Sequence, residues 1–154
     1  MEHVNQEMMM KKIVSKWSKR LAVIALMTGS SSLAFAGGHM MDVGVYGHDQ
    51  EVSSGTVSAD MIQAAENGWL VVHRTDKKMK PGPVIGYAPV KMGSNYDVSA
   101  ILTETVKSGE MLMLMLHSEK GGMKTGVFEY TLGAKTDGPI KVHGKLVMSV
   151  ITVK

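Results

Sequence analysis

Residues 110–122 read EMLMLMLHSEKGG, and the run from Met111 to Leu116 decides the fold class. Met111, Met113 and Met115 alternate with Leu112, Leu114 and Leu116, and His117 closes the run. In an extended chain, successive side chains point to opposite faces. The methionines and His117 therefore share one face, and the leucines share the other. The segments KSGE before the run and EKGG after it are turn signals, and a short apolar run between turn signals reads as a strand. Both faces are apolar. Such a strand is either central and covered on both sides, or it shows its methionines to a partner.

The rest of the chain breaks into runs of the same kind. GTVSADMIQA, GWLVVHR, VIGYAPV, YDVSAILTETV, VFEYTL, PIKV and KLVMSVITV are rich in valine, isoleucine, leucine and threonine, with glycine, proline and asparagine between them. SADMIQAAEN is the one stretch that also fits a short helix, capped by Ser58 and stopped by Gly68. The strand reading is preferred there. The spacing predicts an all-β domain, an antiparallel immunoglobulin-like β-sandwich of about seven or eight strands.

The amino-terminal end has a different character. Lys11, Lys12, Lys16, Lys19 and Arg20 precede the apolar run Leu21 to Met27, and TGSSSLAFA follows with Ala34 and Ala36 in the A-x-A positions. This is the pattern of a secretory signal peptide. The apolar run is far below the roughly 20 residues that span a bilayer. The reading is a signal peptide over 1–36, a flexible, glycine-rich leader over 37–50 and the β-sandwich domain over 51–154. The Met8-Met9-Met10 cluster offers alternative starts of translation. The protein is expected in the periplasm or secreted, with no stable membrane span once the signal is cleaved.

Charge follows the same division. The whole chain has a formal net charge of +3, and residues 1–36 alone hold five cations against Glu2 and Glu7. The domain is left near neutrality, which gives no basic face for nucleic acid. Fifteen methionines and no cysteine make thioether the only sulfur chemistry available. Thiol catalysis is excluded, as is a blue-copper site, which needs a cysteine thiolate. No Gly-x-Ser-x-Gly elbow, His-Glu-x-x-His or phosphate loop occurs, so the chain is not expected to be an enzyme.

Two places could take a soft metal. The first is the methionine strand. Packing is the preferred reading of Met113 and Met115, because methionine fills irregular gaps. A copper(I) site on Met113, Met115 and His117 is the alternative, because thioethers select copper(I). His73 ends GWLVVH as His117 ends the methionine run, and on neighbouring strands the two could meet. Otherwise each is a strand-end histidine bonded to a loop carbonyl or carboxylate. Glu129 is a possible third ligand. The second place is the new amino terminus, Gly37-Gly38-His39. A free amine, two amide nitrogens and a third-position imidazole suit square-planar copper(II) or nickel(II), and Met40 and Met41 follow at once.

Several pieces occur together in order: Asp49-Gln50, GTV, GWLVVH (Gly68 to His73), VIGYAPVKMGSNYDV, LMLHSEKGG, GVFEY and DGPI (from Asp137). Their order over residues 49–154 resembles an uncharacterised family of secreted domains in haloarchaeal and bacterial extracytoplasmic proteins. The resemblance implies an immunoglobulin-like sandwich outside the cytosol and no particular activity. Relatives tend to carry an aspartate soon after the second histidine, where this chain has Ser118-Glu119. The expected function is a non-enzymatic binding or interaction module for an unknown protein or small ligand in the cell envelope. The alternative is a copper-handling envelope protein using Gly37 to Met41 and the methionine and histidine side chains.

Overall fold

The computed structural model describes residues 42–131, 133 and 135–154. Among the described residues nine strands form in chain order: β1 (Gly44–Tyr46), β2 (Thr56–Ala64), β3 (Gly68–Thr75), β4 (Val84–Val90), β5 (Gly93–Leu102), β6 (Met111–Ser118), β7 (Lys141–Val142), β8 (Lys145–Leu146) and β9 (Met148–Thr152). Among the described residues there is no helix, and so none that could cross a membrane. Seven strands make one antiparallel sheet in the order β1-β2-β5-β4-β3-β6-β9, and β7-β8 is a separate small ribbon.

The sheet curls until its ends nearly meet. A parallel bridge joins Gln50, beyond β1, to Val153, beyond β9. The Lys154 N–H donates to the Gln50 carbonyl at 3.0 Å. The Gln50 side chain extends β1 in a second way. Its amide accepts from the Ser58 N–H at 2.9 Å and donates to the Ser58 carbonyl at 2.8 Å, standing in for a missing strand residue beside β2. Asp49 accepts from the Thr152 N–H at 2.7 Å on the other side of the seam. The architecture is therefore all-β and nearly a barrel.

Its inner face is the core. Val57, Ala59 and Ile62 of β2, Leu70 and Val72 of β3, Ile85 of β4, Ala100 of β5 and Ile151 of β9 meet Leu112, Leu114 and Leu116 of β6 there. The methionine strand is the central-and-covered kind. Its leucines line the core, and Met113 and Met115 are buried on the opposite face. Each such side chain contributes about 1.5–3 kcal/mol by leaving water.

Three local readings change. SADMIQA is strand, as preferred, but the glycine-rich leader does not extend to residue 50. Gly44–Tyr46 pairs with Met61–Gln63 of β2, and Val45 is buried, so a three-residue edge strand lies within the span read as leader. The run YDVSAILTETV is displaced: β5 covers Gly93–Leu102, beginning before Tyr96, and the Asn95 side chain holds both backbone groups of Lys91 across the β4–β5 hairpin. VFEYTL was expected as a strand. Its residues Val127 to Thr131 are irregular and pass over the sheet. The proposed signal peptide 1–36 and the leader residues Gly37, Gly38, His39, Met40 and Met41 lie outside the described residues.

Candidate functional site

The outer face of β3 and β6 carries the site. The two strands run antiparallel with Trp69 opposite His117, Val71 opposite Met115 and His73 opposite Met113. His73 and His117 thus start at opposite ends of one face and lean toward each other along it. Gly68 permits the strands to close tightly at the His117 end, since a Cβ there would run into the His117 carbonyl oxygen. Both histidines are fully buried.

Each ring is pinned through Nδ1. His73 Nδ1 lies 2.8 Å from the Gly82 carbonyl, and His117 Nδ1 lies 2.6 Å from the Asp137 carbonyl. A carbonyl can only accept, so each Nδ1 carries the hydrogen. The two Nε2 atoms then face each other at 3.3 Å. The rings are 30° from parallel with centroids 5.4 Å apart. The pKa of His117 is lowered to about 4, chiefly by burial and in lesser part by repulsion from a protonated His73, against the opposing pull of its bond to Asp137. Burial also lowers that of His73, opposed by its bond to Gly82. Both rings are therefore neutral at pH 7, and two lone pairs point at one another.

The segment after β6 forms the cover. Tyr130 stands edge-on to both imidazoles, with centroids 4.6 Å from His117 and 6.0 Å from His73. Phe128 packs against Trp69, Tyr87 and His117. Asp137 fixes this cover. It sits in the left-handed region at φ 45°, tolerable for a short polar residue. Its Oδ2 accepts from the Glu129 N–H at 2.7 Å while its carbonyl holds His117. Two buried polar atoms have no hydrogen-bond partner among the described residues: Nε1 of Trp69, whose backbone pairs with His117, and Oδ1 of Asp137.

The structure brings together His73 and His117, and it places Met113 and Met115 on the same face. Met111 is only half buried at the strand end. Glu129 does not join them. Its carboxylate accepts from the Lys124 N–H instead. Among the described residues no group of three His, Asp or Glu side chains could hold a metal. Sequence reasoning missed Tyr130 and Phe128 as cover and Asp137 as anchor. Their only signal was alternation, which read as a strand, and a turn motif.

A second feature opens beside Trp69. A cleft of about 370 Å³ is lined by Asn67, Trp69, Pro89, Lys91, Glu119 and Thr125, among others. Its floor is apolar, and Lys91 and Glu119 bring opposite charges to it. A family profile described as a domain of unknown function, DUF7282, matches residues 44–154. No curated protein and no solved structure matches the chain.

Proposed function

Since the chain belongs to the DUF7282 family, whose function is unknown, we propose from its own geometry that it is a small non-enzymatic binding module working outside the cytosol, periplasmic or secreted. The observation that carries this reading is the cleft beside Trp69. Its volume falls in the range of about 300–1,000 Å³ that small ligands use. An apolar floor with one cation and one anion suits a compact, partly apolar ligand bearing a polar or charged group. The scaffold fits the role, because the cleft is framed by backbone held in the sheet. Asn67 accepts from the Met92 N–H at 2.9 Å, and Glu119 accepts from the Gly126 N–H at 2.9 Å, which fixes the cleft walls before any ligand arrives.

The same proposal includes export by the signal-like amino terminus and an immunoglobulin-like layering. The layering is supported by the β4–β5 seam, which is paired at only Gly86–Leu102 and Tyr87–Ile101 and separates β1-β2-β5 from β4-β3-β6-β9. Native mass spectrometry of protein isolated from its own envelope fraction tests the binding reading. A one-to-one small-molecule adduct is expected, lost on Lys91→Glu. No adduct, or one that Lys91→Glu leaves intact, overturns it. Intact mass of the same sample tests export, with a chain beginning at Gly37 expected. Copper handling is the second reading, favoured by the facing imidazole nitrogens.

A further inference from the structure

We propose that His73 and His117 bind one copper(I) ion between their Nε2 atoms, with the thioethers of Met113 and Met115 as the soft donors available on the same face. None of these four side chains lines the cleft, and the inference rests on the copper-handling reading, not on the cleft.

Three observations lead there. First, both Nδ1 hydrogens are committed to carbonyls, so both Nε2 atoms are acceptors. Two acceptors at 3.3 Å make no hydrogen bond with each other. A proton could bridge them, but that puts an uncompensated cation in a fully buried place. A metal ion satisfies both lone pairs at once.

Second, the spacing is that of two ligands on one ion. Metal–imidazole bonds are about 2.0–2.1 Å long. Two such bonds reaching nitrogens 3.3 Å apart meet at an angle of about 110°, close to tetrahedral, by that bond length. The Nδ1 bonds to Gly82 and Asp137 are the outer contacts that orient ligating imidazoles and fix their tautomer.

Third, the remaining donors select the ion. No third His, Asp or Glu among the described residues joins the pair, so zinc lacks its usual three or four protein ligands. Met113 lies directly across from His73, and Met115 lies two residues before His117 on the same face. Neutral imidazole with thioether is a soft set that suits copper(I).

The test is anaerobic titration of the full chain with copper(I) against a competing chelator. The chain carries His39→Ala so that Gly37-Gly38-His39 cannot compete. One ion per chain is expected, with at least about 100-fold weaker binding on adding His73→Gln or His117→Gln, since losing a direct ligand exceeds the 10–100-fold cost of losing a ligand's support. Glutamine keeps a side-chain donor for the carbonyl. No retained copper, or undiminished binding in both variants, overturns the proposal. Nitrogen NMR of the imidazoles in the unsubstituted chain decides the matter should a variant fail to fold. Two unprotonated Nε2 resonances that both shift on adding copper(I) are expected. An Nε2 proton on either ring, unchanged by copper(I), refutes the site.

Discussion

Burial at His117 acts on the proton and on the fold together. The ring is held neutral, with a pKa lowered from 6.5 to about 4. An unfolded chain regains the ordinary value, so between those pH values it binds a proton that the fold refuses. Stability of the metal-free protein is therefore full above pH 6.5 and falls as pH drops toward about 4. The loss is on the order of 3 kcal/mol at about 1.36 kcal/mol per unit. Urea unfolding of wild type against His117→Gln across that window isolates the effect, and parallel pH profiles would contradict it. Met113 separates packing from ligation in a similar way. Met113→Leu conserves volume and is expected to cost under about 1.5 kcal/mol, while Met113→Ala costs about 2–5 kcal/mol. On the copper reading, Met113→Leu weakens copper(I) binding with the melting temperature nearly unchanged.

At the scale of elements, β3 and β6 approach each other closely at one glycine. Gly68 faces Ser118, and a methyl there meets the His117 carbonyl rather than a movable side chain. Backbone cannot step aside cheaply, so Gly68→Ala is expected to destabilise by about 1–3 kcal/mol, the usual range for overpacking. Calorimetry checks this, and a neutral result removes the close approach from the account. The cover is the other decisive element. Tyr130→Ala opens the imidazole pair to water, so the His117 pKa should rise back toward 6.5, as read by proton NMR. The cover also shows why the sequence was legible only in part. The six residues Met111 to Leu116 display both covered faces, because strand periodicity is strict. Phe128 and Tyr130 alternate equally well, yet they are a lid, since an extended segment lying on a sheet shows the same period as a strand within it. β1 was hidden because it is three residues long, with Gly44 inside it and Gly47 just after it, too short to carry an apolar pattern. The meeting of His73 and His117 was legible as a possibility, but the register that lets them lean together was not.

On the scale of the whole molecule, the near-barrel depends on how its seam is closed. β1 has only three residues, so most of β2's free edge would face water without help. Asp49 and Gln50 supply that help, one side chain reaching β9 and the other reaching Ser58 of β2. The pair was visible in the sequence only as one piece of the family resemblance, and a side chain acting as a strand residue has no periodicity to read. Gln50→Ala removes both contacts to Ser58 and leaves a part-buried N–H and carbonyl without their partner, at about 1–3 kcal/mol for buried groups. β6 is only one strand from the seam, next to β9, and β3 is two, but β3 and the centre of β6 are covered on both faces, so the loss should be spatially graded. Hydrogen exchange is expected to quicken at Ser58 and along β1, β2 and β9, with β3 and the centre of β6 still the slowest amides in the chain. Uniform acceleration over all strands would mean that the seam and the buried strand pair unfold as one unit, and the imidazole pair would then share the stability of the seam rather than that of the core.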